Sequence, residues 1–418
     1  MKASPMTFPT LTRAAGALSL LLAAGCGTPH QPANLEPATR GGAYQAQYRL
    51  PEGRGDAGAL LRSAAMNLER CADGAGPIAN ETYAAVSKLS GDIPRGLGGE
   101  LLSRGDLVDL RVPQDETFTG TFVVSRDGTL KLPFIAPVPA QGRTTEQVAS
   151  DIRAALVGGG FYAATPAVSL LVADFAPAHV AVAGAVFEPQ PVQIGGVSGD
   201  RIDSLRQSAL GASTEARNLS AAIRNAGGVR PDADLARVRL TRGGTNYVLD
   251  LRGMIAGSAA DDVMLLTGDQ IHVPSRHCFQ DNLMRPSPIS PPGISLYLSN
   301  LTQPATGNAI SAIGQTVREV PYGTRFMQAV VDANCVGGAR ATSANRSAAL
   351  FSRNPVTGVS VVIERSIEDM RARADRDDYD PYLLPGDSIA CYDSGMTNLA
   401  EVGRVVGTVT AGLLVPGL

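Results

Sequence analysis

The sequence predicts an α+β protein, dominated by strands and built from three consecutive β-rich units. Three observations point there. The 418 residues include 46 Gly and 28 Pro and no Trp, a composition of frequent turns rather than of long helical bundles. Apolar residues alternate in short runs bounded by Gly, Pro and Asp, as half-buried strands do. A helix-plus-strand pattern at 219–271 returns in degenerate form at 326–389, the mark of a repeated unit. With 36 basic against 39 acidic side chains the net charge is −3. Lys occurs only at positions 2, 88 and 131, so no basic run exists to neutralise phosphates, and nucleic acid is not an expected partner. Beyond the N-terminus no uninterrupted apolar stretch reaches the ~18 residues of an ordinary membrane span.

Residues 1–25 read as a signal peptide. Lys2 and Arg13 precede the apolar Ala14–Leu22, and the small residues Ala23-Ala24-Gly25 precede Cys26, the charged, apolar and small-residue layout of export signals. A buried N-terminal helix is the alternative, poorly ended by Gly25-Cys26-Gly27-Thr28-Pro29. The Cys after the small run resembles a bacterial lipobox, with Ala23 where Leu is more usual. That resemblance implies acylation of Cys26 and, because Gly27 is not Asp, sorting to the outer membrane. Each buried acyl methylene contributes about 0.8 kcal/mol to anchoring. Residues 26–100 follow as a lipid-anchored tether and N-terminal segment, polar over Gln31–Arg54.

Four further cysteines, Cys71, Cys278, Cys335 and Cys391, form an even set in an oxidising compartment, with three pairings open. Cys335 and Cys391 fall in one unit, which favours Cys335–Cys391 and Cys71–Cys278. No Cys-x-x-Cys motif occurs, and His272 and His277 neighbour Cys278 only at a strand exit; neither metal nor cofactor is expected.

The first unit spans 101–175. Thr121–Ser125 and Thr129–Leu132 flank Asp127-Gly128, a two-residue hairpin signal. Thr144-Thr145-Glu146-Gln147 is a capping box, behind which Val148, Ile152 and Leu156 recur every fourth residue. Val168–Val172 reads as a closing buried strand. Taken in order, Gly105-Asp106-Leu107-Val108, Ser125-Arg126-Asp127-Gly128-Thr129, Leu132-Pro133-Phe134-Ile135 and Pro166-Ala167-Val168-Ser169 resemble the N-terminal domain of outer-membrane polysaccharide-export lipoproteins. Ala136 departs from the Gly usual after the proline-containing strand.

The second unit, 178–275, alternates Val180, Val182 and Val186 into Glu188-Pro189. Its helix places Leu219, Ala222, Ile223 and Ala226 on one face and stops at Gly227-Gly228. Val238-Arg239-Leu240 and Tyr247-Val248-Leu249 flank the Gly243-Gly244 turn, and Leu266–Ile271 leads into Val273-Pro274. This unit resembles the soluble-ligand-binding β-grasp (SLBB) domain of the same family. A phosphate loop is the competing reading of Ala226-Gly227-Gly228, but no Gly-Lys follows. The third unit, 294–393, is the degenerate copy: Phe326–Ala333 aligns with Leu219–Ala226, and Leu384–Ile389 with Leu266–Ile271. Pro286–Pro292 reads as the hinge between the copies.

No enzyme constellation is visible: there are four His and no His-Glu-x-x-His, Gly-x-Ser-x-Gly or Walker lysine. The Gly-Asp pairs at 105/106, 268/269 and 386/387 each precede a strand and read as turn chemistry rather than catalysis. Asp375–Asp380 lacks calcium-loop spacing and reads as a solvated loop.

The segment 396–418 reads as an amphipathic helix. Placed at about 100° per residue, Leu399, Val402, Val405, Val406, Val409 and Leu413 share one face, and Glu401, Arg404 and Thr408 lie opposite. Gly403, Gly407 and Ala411 form a small-residue flank suited to close helix packing. Seventeen residues of it, ending at about Val415, reach roughly 25 Å at about 1.5 Å per residue, near a bilayer's apolar thickness. A lone span exposing Arg404 costs about 2.5–3.5 kcal/mol. Two readings follow from the pattern: a helix lying on its own domain, or a transmembrane helix in a ring that turns its polar face to water. The family resemblance implies the second. It implies polysaccharide as cargo, a homo-oligomeric ring, outer-membrane lipids around the helices and an inner-membrane polysaccharide copolymerase as partner.

Overall fold

The computed structural model describes residues 85–86, 93–94, 96–195, 215–258, 262–277, 279–300, 317–333, 335–336, 347–372 and 379–392. It divides into two compact units, one containing 65–293 and one containing 294–320 and 324–418.

In the first of these, strands β2 (Leu107–Arg111), β3 (Gly120–Val123) and β6 (Ser169–Asp174) form an antiparallel sheet in the order β3-β2-β6. Helix α1 (Thr145–Gly158) covers it. Thr144 Oγ accepts the Gln147 N–H while the Gln147 side chain accepts the Thr144 N–H, so the capping box satisfies two of the donors every helix start leaves open. Val148, Ile152 and Leu156 are fully buried against Val108, Leu110, Val168, Leu170 and Val172.

Two expectations change here. Val168–Val172 is not buried on both faces: Leu170 and Val172 point into the core, but Leu171 is 42% exposed, because this sheet carries a helix on one side only. The hairpin is not a two-residue one. Gly128 N–H donates to Ser125 C=O and Ser125 N–H donates to Thr129 C=O, leaving three residues, 126–128, in the loop. Gly128 takes φ +81°, the left-handed residue that completes a three-residue turn. Short strands β4 (Thr129–Leu130) and β5 (Val138–Pro139) then pair antiparallel and hold out the intervening loop 131–137.

The same unit continues into a six-stranded sheet, order β1-β10-β9-β11-β7-β8, from β1 (Ala85–Val86), β7 (Ala178–Gly184), β8 (Gln190–Ile194), β9 (Val238–Arg242), β10 (Thr245–Leu249) and β11 (Gln270–Val273). Strand β11 runs parallel to β7 and antiparallel to β9. Gly243 and Gly244 both take positive φ between β9 and β10, as a two-residue hairpin requires. Helix α2 (Leu219–Asn225) buries Leu219, Ala222 and Ile223, with Ala226 just beyond its end, and Gly227 and Gly228 both turn left-handed after it. A second short helix, α3 (Arg252–Ala256), follows β10.

The proline-rich stretch 286–292 is not a free hinge. Ile289 is fully buried in this core, its C=O accepts the Val229 N–H, and Pro291 lies so close over Gly228 that a Cβ there would sit 2.3 Å from the Pro291 nitrogen. Burial of the apolar Ile289 outweighs the linker-like composition around it.

The second compact unit holds β12 (Ile294–Asn300), β13 (Val317–Val320), β14 (Ser347–Arg353), β15 (Ser360–Ser366) and β16 (Ser388–Tyr392), in the order β13-β12-β16-β14-β15, with α4 (Phe326–Asp332) and α5 (Ile367–Ala372). Strand β16 is parallel to β12 and antiparallel to β14. This is the order β8-β7-β11-β9-β10 over again, with the same strand directions. One residue of the acidic stretch is misread as solvated. Asp380 is 4% exposed, and its carboxylate accepts the Met327 N–H at 2.8 Å, capping the start of α4 from a distant part of the chain.

Among the described residues no helix is long and apolar enough to cross a membrane. The segment 396–418 lies outside the described residues.

Candidate functional site

Three loops of one geometry organise the molecule. In each, Gly adopts positive φ (Gly105 +90°, Gly268 +99°, Gly386 +87°). The following Asp N–H donates to a carbonyl three residues back, at Ser103, Leu266 and Leu384. The Asp carboxylate accepts the N–H of that same residue at 2.7, 2.8 and 2.9 Å. The Gly is needed because side chains clash in the left-handed region; the Asp closes the turn on itself. All three Asp residues are buried.

Within the larger unit, the first two loops meet. Thr267 N–H donates to Ser103 Oγ at 3.0 Å, and Gln141 Nε2 donates to Thr267 C=O at 3.1 Å while its Oε1 accepts from Arg104 Nε at 2.9 Å. At their centre Arg217 Nη1 lies 2.8 Å from Asp106 Oδ1, with both side chains wholly buried. The same Oδ1 accepts the Ala176 N–H, and Arg217 Nη2 reaches Leu265 C=O. The guanidinium stacks over Phe175 at 5.3 Å, a contact that strengthens where water is excluded. Gly195 leaves room for the stem of Arg217: a Cβ there would lie 2.6 Å from Arg217 Cγ. The second loop has its own arginine. Arg242 grips Asp269 with Nε at 3.0 Å and Nη2 at 2.6 Å, and Nη2 also donates to Met264 C=O.

Burial pushes the Asp106 carboxyl above its usual range, against the pull of Arg217 and of the Ser103 and Ala176 N–H groups. Burial likewise lowers Arg217, against the attraction of Asp106. Desolvation penalises both charges, and the attraction between them opposes that penalty. The pair fixes one β-rich layer against the next.

Of the residues singled out from sequence, the structure brings Cys335 and Cys391 together in a disulfide with Cα atoms 6.0 Å apart, tying the chain just after α4 to β16. Cys26, Cys71, Cys278, Glu401, Gly403, Arg404, Gly407, Thr408 and Ala411 lie outside the described residues. Among the described residues no group of His, Cys, Asp and Glu is placed to hold a metal ion. Sequence reasoning missed Arg217 and Arg242. An arginine at the start of an apolar helix, or at a strand end, reads as solvent-facing, and nothing local names a partner 111 residues away.

A family model described as polysaccharide biosynthesis/export protein matches residues 99–173, and one described as SLBB domain matches residues 205–273. No curated protein matches the chain. The Asp106–Arg217 pair thus joins the stretch that matches the polysaccharide biosynthesis/export model to the stretch that matches the SLBB model.

Proposed function

We propose that the chain is one subunit of an outer-membrane translocon through which a capsular or extracellular polysaccharide leaves the cell. Subunits anchored by an acylated Cys26 assemble into a ring, with most of each chain in the periplasm. The segments 396–418 gather into a helical exit: Leu399, Val402, Val405, Val406, Val409 and Leu413 face lipid, Gly403, Gly407 and Ala411 face the neighbouring helix, and Glu401, Arg404 and Thr408 face water. The protein does no bond-breaking chemistry; an inner-membrane copolymerase supplies drive and gating. The observation that carries the reading is the export module followed by an SLBB module, with a second sheet of the same strand order after them in the chain.

End-on imaging of detergent-extracted particles tests it. A closed ring is expected, and deleting 396–418 should leave rings that no longer export. Export that survives the deletion makes the protein a periplasmic glycan-binding scaffold instead. A monomer in lipid, with 396–418 packed on its own body, overturns the translocon. Cys26→Ser should abolish acyl labelling and membrane retention.

A further inference from the structure

Wherever the described backbone turns left-handed it uses glycine, with three exceptions: Gln114, Phe134 and His277. Phe134 is the bulky one. At φ +62° its backbone lies in a region disfavoured for any side chain, by more for large ones. Strain of this kind persists where surrounding structure enforces it, and clusters at sites that contact ligands. Here the strain points a phenyl ring into solvent: Phe134 is 80% exposed, the most exposed large apolar residue described. It sits near the middle of loop 131–137, held out by the Leu130–Val138 pair. Its neighbours are anchored inward, Leu132 at 6% and Val138 at 4% exposed, with Ile135 packed on the same core.

We infer that Phe134 is a contact for the exported polymer, its ring stacking on the C–H face of a pyranose. This rests on the export reading above and names the residue that touches cargo. The surroundings favour a sugar over a protein surface. Protein hot spots cluster several anchor side chains, Trp, Tyr and Arg above all, whereas Phe134 is the single large apolar residue exposed on its loop. Charged residues open its loop and precede it in the chain. Lys131 and Asp127 form an exposed ion pair at 3.0 Å, and Arg126 is exposed beside them, donors and acceptors suited to sugar hydroxyls and acid groups. An aromatic face with polar edges matches a sugar's alternation of C–H faces and hydroxyl rims.

The test uses the full-length chain. It contains no Trp, so Phe134→Trp introduces a unique fluorophore at the site. The probe is the surface polysaccharide recovered from cells that produce this chain, with dextran as a neutral control. A saturable emission change with the cell's own polymer is expected. Phe134→Gly should relieve the backbone strain and raise the thermal midpoint by about 1–4 °C. The same variant should lower surface polymer by about tenfold, equivalent to about 1.4 kcal/mol of lost contact. Phe134→Ala should lose export without the rise in midpoint, and Phe134→Tyr should keep it. Emission unchanged by that polymer overturns the inference, as does Phe134→Gly exporting at parental level. Emission that shifts with protein concentration instead of with polymer also overturns it, and makes Phe134 a contact between copies. If deleting the whole chain leaves export intact, the export reading itself fails; if only the Phe134 variants export normally, the cargo contact alone fails.

Discussion

Replacing Arg217 by Met takes the positive charge from a wholly buried site. The guanidinium and the Asp106 carboxylate are both wholly buried, so the variant leaves a carboxylate with only the Ser103 and Ala176 N–H groups as partners. Breaking one member of a buried pair costs about 3–5 kcal/mol, most of it desolvation of the charge left behind. For a cooperative unit near 200 residues, each kcal/mol lowers the midpoint by roughly 2–4 °C. A fall of about 6–20 °C is therefore expected by calorimetry. The double variant Asp106→Leu with Arg217→Met removes both charges and should recover most of that loss, although Leu cannot accept the two N–H groups. A loss under about 1 kcal/mol for Arg217→Met, or a double variant no better than the single ones, refutes the account of the pair as mutually dependent charges.

Thr144→Ala removes one half of the capping box on α1 and should cost about 0.5–2 kcal/mol in urea unfolding, with the Gln147→Ala partner variant adding less than its separate cost. Opening the Cys335–Cys391 bridge, which spans 56 residues, should destabilise its unit by about 4 kcal/mol on loop-closure grounds; the double variant Cys335→Ser with Cys391→Ser should match the reduced parent. The Asp127 carboxyl is lowered to about 2 by the Thr129 side chain first and by Lys131 next. A depressed carboxylate contributes stability above its unfolded value near 3.9 and loses it as pH falls through the folded value. Asp127→Asn should therefore flatten the loss of stability between about pH 4 and about pH 2, read by acid titration of circular dichroism.

What could be read in advance was chemistry that acts over a few residues. Thr144 and Gln147 declare a helix start because both capping bonds close within three positions. The Gly-Asp loops are equally local, and they carry the repeat: the copy is visible from Leu266–Ile271 and Leu384–Ile389 because the same turn needs the same two residues. Asp127-Gly128 announced a turn, but its length depends on which carbonyl Gly128 and Ser125 reach, and that is set by pairing with Thr129. The rest was decided at long range. Arg217 finds Asp106 only once two domains have folded. Ile289 is a core residue because Gly228 lets the chain pass close, which composition alone does not convey. Asp380 looks like one more surface carboxylate until α4 is placed beside it. Phe134 stands inside a motif that identifies the domain, yet its left-handed backbone leaves no trace in residue type.

The place of β16 sets how its unit bears a pull. It is the middle strand of five, bonded to β12 on one side and β14 on the other, and the bridge at Cys391 lies one residue before the strand ends at Tyr392. Tension arriving at Tyr392 along the strand axis loads both ladders in shear, so many hydrogen bonds must fail together instead of unzipping one by one. It also meets a covalent stop almost at once. Whatever tugs on that end of the chain drags the whole sheet and its helices as one block.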